Sequence, residues 1–256
     1  MADTPPPTAS SADGPVKVAA APLLRIQALR FGYAGGETLL DIDRLDLQPG
    51  EHLFMRGPSG SGKSTLLSLA AGVLAAGPGM VSLAGRDWAG MGPARRDAWR
   101  AEQVGYVFQQ FNLLAYLSVL DNVLLPCRFC PPRRQRAGGR AARDGAAELL
   151  QRMQLPPALW TRPAAELSVG QQQRVAAARA LIGRPALVIA DEPTSALDEA
   201  LREDFMALLL GSCRDAGSAL LFVSHDARLA AHFTRQADLS ALNRAGARQP
   251  RAEPTA

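Results

Sequence analysis

The sequence predicts an α/β fold, and three stretches carry that prediction. A short apolar strand, His52-Leu53-Phe54-Met55, runs into the glycine-rich segment Gly57-Pro58-Ser59-Gly60-Ser61-Gly62-Lys63-Ser64-Thr65 and then into Leu66-Leu67-Ser68-Leu69-Ala70-Ala71. Strand, glycine loop and helix in that order form one supersecondary unit. Two further apolar runs, Ala186 to Ala190 and Ala219 to Val223, have the continuous hydrophobicity of strands buried on both faces. Each ends in polar residues, Asp191-Glu192 and Ser224-His225-Asp226. Open α/β sheets bind ligands beyond the carboxyl ends of their strands, so three strand ends point chemistry at one crevice.

The elements follow in order. Leu24 to Leu29 alternates apolar and polar residues as a strand does. Phe31-Gly32-Tyr33 and Gly35-Gly36 predict a loop, and Leu45-Asp46-Leu47 leads into a turn at Pro49-Gly50. From about 111 to 167 the chain is rich in Arg, Ala and Leu, broken by Pro131-Pro132 and Gly138-Gly139, which predicts a helical insertion. Its Arg133, Arg134, Arg136, Arg140 and Arg143 suit either a solvated helix face or contact with lipid headgroups or an acidic partner. Ser168 is placed to cap a helix running to about Ile182, where Gly183 and Pro185 stop it.

Composition bounds the function. Of the 256 residues 47% are hydrophobic, enough for one large domain or two small ones. A net charge of +4 is too mild to argue for nucleic acid as a partner. Cys127-x-x-Cys130 has the spacing of a zinc knuckle but lacks a second pair or a nearby histidine, so reduced thiols are expected, with Cys213 the third. Residues 1–22 lack the basic start and apolar centre of a signal peptide and read as a disordered tail, and residues 246–256 read as a polar, frayed C-terminal tail. No apolar run approaches the roughly 20 residues that span a bilayer. A soluble chain is expected, so any work at a membrane needs a second polypeptide.

Only two of the 28 basic Lys and Arg side chains are lysines, and one of them, Lys63, sits in the glycine loop. The loop matches G-x-x-x-x-G-K-[ST], in which backbone N–H groups cradle phosphate, the lysine reaches the β- and γ-phosphates and the following hydroxyl, here Ser64, serves Mg2+. A compact ammonium fits between phosphates where a planar guanidinium fork fits poorly. Asp191, at the end of its apolar strand, suits Mg2+, and Glu192 is placed to polarise an attacking water. The guanine-reading Asn-Lys-x-Asp motif needs a second lysine in the folded part, and there is none.

Leu167-Ser168-Val169-Gly170-Gln171-Gln172-Gln173-Arg174 resembles the signature of the ABC ATPases, Leu-Ser-Gly-Gly-Gln. Other elements match the family in order: an aromatic at Tyr33, a glutamine at Gln109 in Tyr106-Val107-Phe108-Gln109, Ser195-Ala196-Leu197-Asp198, and His225. The resemblance covers about residues 24 to 243. It implies a P-loop NTPase domain over 23–245, with a RecA-like core, an antiparallel β subdomain and a helical subdomain. It also implies that Tyr33 stacks on adenine, that Gln109 senses Mg2+ and water, and that His225 contacts the γ-phosphate. Ser168, Gly170 and Gln171 would then touch the ATP held by a second copy.

Phe108 to Leu114, Leu117 to Val123 and Pro126 resemble the lipoprotein-releasing, macrolide-exporter and cell-division branch. Those ATPases serve permeases of four transmembrane helices with a large extracytoplasmic domain. Ser195-Ala196 departs from that branch, where Gly-Asn is frequent, and is common in importers. The resemblance implies an ATP-hydrolysing transporter subunit that works as a homodimer on the inner face of the bacterial plasma membrane, held there by a permease. A non-transport ABC ATPase of DNA repair or translation is the alternative. Phe111, Leu113, Leu114 and Tyr116 fit either a permease-docking groove or subdomain core. Val169 stands where the signature has glycine, so the loop must hold φ below zero there or carry strain.

Overall fold

The computed structural model describes residues 21–245. In chain order the strands are β1 (Leu24–Phe31), β2 (Leu40–Leu47), β3 (His52–Arg56), β4 (Val81–Leu83), β5 (Arg86–Asp87), β6 (Val104–Val107), β7 (Leu187–Asp191), β8 (Ala219–Val223) and β9 (Arg235–Asp238). The helices are α1 (Lys63–Ala70), α2 (Pro93–Gln103), α3 (Val119–Phe129), α4 (Pro131–Arg136), α5 (Ala142–Arg152), α6 (Val169–Leu181), α7 (Glu199–Ala216) and α8 (Leu239–Leu242). Two sheets result: an antiparallel one of order β2-β1-β4-β5 and a five-stranded one of order β6-β7-β8-β3-β9. Every pairing in the second sheet is parallel.

Alternation along the parallel strands divides the interior in two. Phe54, Val188, Ala190, Leu220 and Phe222 face a core shared with α3, α5, α6 and α7. Their neighbours Leu53, Met55, Leu187, Ile189, Leu221 and Val223 face a second core, shared with α1 and the antiparallel sheet. Successive strand side chains point to opposite faces, so a strand apolar at every position must be covered twice. That double cover leaves the strand ends as the place where polar groups can gather.

β1 runs through Phe31, one residue into the stretch expected to be loop, because Phe31 pairs with Leu40 of β2. β6 extends the parallel sheet beside β7, with Val107 opposite Ala190. The helical insertion supplies α3, α4 and α5, and α6 packs against α3 and α5.

Arg133 corrects the reading of the arginine cluster as surface. It is 3% exposed, and its guanidinium donates to Ile182 O at 2.9 Å, Ala180 O at 2.6 Å and Val104 O at 3.3 Å. The last carbonyls of a helix lack partners and carry its negative dipole end. Arg133 therefore caps α6 and fastens α4 to the start of β6. Burial lowers its pKa to about 10. Cys127, Cys130 and Cys213 are free and buried, and burial pushes the Cys213 thiol up to about 12. The two tails expected at residues 1–22 and 246–256 lie outside the described residues, apart from residues 21 and 22.

Candidate functional site

The glycine loop joins β3 to α1. β3 is the strand between β8 and β9, so the loop opens at the sheet's carboxyl edge beside the end of β8. Gly62 stands at the N-cap of α1 with φ +92, and a Cβ there would lie 2.8 Å from Leu40 Cδ2. Conformation and space both demand glycine at that point. No side chain caps α1 and no acidic residue occupies its first turn. The helix thus presents amides and its positive dipole end, which suit an anion. Lys63 folds back across the loop and donates from Nζ to Gly57 O at 2.7 Å and Pro58 O at 2.8 Å.

Tyr33 reaches the loop from beyond β1. Its hydroxyl lies 3.2 Å from Thr65 Oγ1, and its ring packs edge-on against Phe31 while remaining 55% exposed. A partly open aromatic face anchored beside a phosphate loop is a platform for a planar base.

Asp191 ends β7 and is half-buried. Burial holds its carboxyl above the usual carboxylate range, the charge of neighbouring Glu192 adds to the rise, and Lys63 opposes it. Lys63 and Asp191 therefore belong to one electrostatic site. Glu192 leaves the strand with φ +47, a left-handed conformation uncommon for a non-glycine residue. The kink is held by its N–H, which donates to Val223 O at 2.9 Å. It aims the carboxylate at His225, beyond β8: His225 Nδ1 lies 2.7 Å from Glu192 Oε2, and the His225 N–H donates to the same oxygen at 3.3 Å. A carboxylate partner places a proton on Nδ1 and leaves Nε2 for another contact. Backbone strain of this kind concentrates where geometry serves function.

Asp226 was not singled out from the sequence. It accepts hydrogen bonds from Arg202 of α7 and from Arg228, whose Nη2 lies at 2.8 Å. Its pKa falls to about 2, with the Arg228 hydrogen bond the largest cause. The network pins the residue after His225 to α7.

Gln109 lies past β6 at the same sheet edge, but it has no hydrogen bond to Lys63, Asp191 or Glu192 among the described residues. Of the four apolar residues after it, Phe111 is buried in the helical core and Leu113 packs partly against it. Leu114 and Tyr116 stay exposed. The two readings of that segment thus divide between its residues.

The signature forms the exposed start of α6. Ser168 Oγ accepts the Gln171 N–H at 3.4 Å, and Gln171 Oε1 accepts the Ser168 N–H at 3.0 Å, a reciprocal capping box. Val169 is the first helical residue, 47% exposed, and is absent from the residues of positive φ. Of the two outcomes expected for Val169, the loop takes negative φ, and the valine adds no left-handed strain. With Leu197, Asp198 and Leu201 the signature lines a cavity of about 380 Å3. No hydrogen bond joins it to the glycine loop among the described residues. Gln173 donates from Nε2 to Pro193 O at 2.6 Å, tying α6 to the segment after Glu192.

Comparison with known proteins matches residues 40–195 to the family described as ABC transporter. The chain is 40% identical over 218 residues to the lipoprotein-releasing system ATP-binding protein LolD of Novosphingobium aromaticivorans, covering 84% of this chain and 94% of the relative. It is 41% identical over 218 residues to the phosphonates import ATP-binding protein PhnC of Hyphomonas neptunium, covering 84% and 82%. The fold matches a dimeric ATP-binding cassette, MJ0796, in a post-hydrolysis state bound to ADP and Pi. That match has a TM-score of 0.71 and 32% identity, over 84% of this chain and 93% of the other.

Proposed function

The chain belongs to the ABC transporter family, and on that premise we propose how its residues divide the work of an ATP-hydrolysing transporter subunit. The observation that carries the proposal is the Glu192–His225 pair at 2.7 Å, set beyond two adjacent parallel strands and beside the loop that bears Lys63.

Lys63 trades its two loop carbonyls for the β- and γ-phosphates of ATP, and the amides from Gly57 to Thr65 surround the phosphate chain. The Tyr33 ring stacks on the adenine. The half-buried Asp191 carboxyl, crowded by Glu192, is chemically suited to a divalent cation. Ser64, Asp191 and Gln109 would hold Mg2+, which when bound neutralises charge on the β- and γ-phosphate oxygens. Glu192 takes the proton of the attacking water, and His225 orients the γ-phosphate. A second copy supplies Ser168, Gly170 and Gln171, whose helix start faces the γ-phosphate from outside. Closure of the two copies completes the site, and hydrolysis releases it.

Among the described residues no helix is long and apolar enough to cross a membrane. In this reading a partner supplies the membrane path: an integral permease of four helices with a large extracytoplasmic domain, docked at exposed Leu114 and Tyr116. That would hold the subunit in the cytoplasm, peripheral on the inner face of the plasma membrane. The named relatives are transporter subunits, which favours this reading over DNA repair or translation.

Tagged full-length protein isolated from detergent-solubilised membranes tests both halves. Co-isolation of a four-helix permease, with phosphate release dependent on Mg2+ and ATP, is the expected result. A many-helix permease accompanied by a substrate-binding protein would overturn the branch. Absence of phosphate release from the assembled complex would overturn the assigned chemistry.

A further inference from the structure

The segment after Gln109 carries two consecutive non-glycine residues in left-handed backbone, Phe111 with φ +58 and Asn112 with φ +48. Such a pair persists only where its surroundings impose it. The turn closes on itself, with Phe111 N–H donating to Phe108 O at 3.0 Å and Asn112 N–H to Gln110 O at 2.6 Å. Asn122 of α3 holds its far side, accepting from Leu114 N–H at 2.9 Å and donating to Leu114 O at 3.0 Å.

The remaining hold comes from α6. Arg179 donates from Nη1 to Asn112 O at 2.6 Å and from Nη2 to Phe111 O at 2.5 Å. These are the guanidinium's only hydrogen bonds among the described residues, and it has no carboxylate partner there. Burial lowers its pKa. A half-buried guanidinium without a carboxylate partner is held by the acceptors it finds, and here both acceptors belong to the strained turn. Gln109 has no side-chain hydrogen bond of its own among the described residues, so the backbone that follows sets its position.

We propose that Arg179 is a positioning residue for Gln109. Its fork holds the left-handed turn and so fixes where Gln109 meets the nucleotide. Because Arg179 lies on the helix that begins at the signature, about 15 Å from its start at 1.5 Å per residue, it also ties each copy's Gln109 to the half-site that copy offers its partner. This rests on the role of Gln109 proposed above.

A double-mutant cycle on the full chain tests it, using Arg179→Met, Gln109→Ala and the pair. Each single change is expected to lower kcat about tenfold, and the pair to fall no more than about twofold below Gln109→Ala alone, as coupled residues do. In Arg179→Met, ATP affinity stays within about twofold because the phosphate loop is untouched, while the Mg2+ concentration for half-maximal rate rises about threefold. Arg179→Lys, whose ammonium can serve both carbonyls, recovers most of the rate.

Losses that multiply in the double variant would overturn the proposal and leave the role of Gln109 standing. Full turnover in Gln109→Ala would instead bring down the role of Gln109, and the proposal with it. Should Arg179→Met not fold, Arg179→Gln serves, since one amide can donate to only part of the pair. A drop of about threefold in kcat at unchanged ATP affinity is then expected, and unchanged kcat overturns the proposal.

Discussion

Gly62 in the phosphate loop and Gly170 in the signature are both glycines at the start of a helix, and they are there for different reasons. Gly62 has φ +92, and a Cβ would strike Leu40 at 2.8 Å. Its own chain demands it. Gly170 sits in ordinary helix, where a Cβ would meet nothing closer than Leu197 Cδ2 at 3.9 Å. Nothing within the described residues requires glycine there. The same contrast holds for the surrounding groups. Lys63, Asp191, Glu192 and His225 already act on one another within one chain. The side chains of Ser168 and Gln171 bond only to each other's backbone N–H and face outward beside an open cavity. One half of the proposed site is assembled by folding, whereas the other half is folded and, in the proposed reading, would meet the ATP held by a second copy.

The largest effect should come from breaking the internal half at its base. Glu192→Gln keeps shape and the hydrogen bond to His225 but removes the proton acceptor, so turnover should fall about 10²- to 10⁴-fold. ATP binding should persist and dimers accumulate, as sedimentation in Mg2+-ATP would reveal. Near-normal phosphate release would remove Glu192 as the base. Lys63→Ala should weaken ATP binding about 100-fold by deleting a charge held on phosphate, and dimer closure should go with it. Lys63→Arg separates charge from shape, and full activity in that variant would contradict the argument from the compact ammonium.

The outward half should respond differently. Val169→Gly leaves the folded chain's own contacts nearly intact, because the valine is exposed and unstrained. We expect ATP affinity of the single copy to be unchanged and ATP-driven dimerisation to weaken about two- to tenfold, the scale of truncating one exposed apolar side chain at an interface. Equal dimer affinity would show that the valine is neutral to pairing.

The smallest effect concerns stability. The folded Asp226 carboxyl titrates at about 2, below the ordinary value near 3.9. A depressed carboxylate stabilises the fold above its unfolded pKa and loses that contribution as pH falls through its folded one. The melting-temperature advantage of the wild type over Asp226→Asn should therefore be constant at neutral pH and shrink between about pH 4 and 2. A difference independent of pH would place the effect in packing instead of charge.

Local chemistry was legible from residue order. The phosphate loop, the strand ending at Asp191-Glu192 and the Ser168 cap each depend on neighbours a few residues away, so a linear pattern carries them. Arg133 was misread because the three carbonyls that receive it come from residues 104, 180 and 182, and five arginines in one stretch look alike until one of them is buried. Arg179 and the left-handed turn it holds leave little linear trace: Asn112 is a residue type that tolerates positive φ, but Phe111 is not, and the arginine that holds them lies 67 residues away.

The amino-acid sequence by itself determined the fold class, the glycine loop proposed to take phosphate, and which residues could serve as base, histidine partner and signature. Those follow from periodicity, glycine placement and capping, which act over short range. Only the tertiary structure decided that Glu192 and His225 meet at 2.7 Å, that Asp226 is pinned to α7, that Arg133 is interior and that Arg179 grips the turn after Gln109. Each of these depends on where separate elements come to rest, and that is settled by burying both faces of the parallel sheet at once.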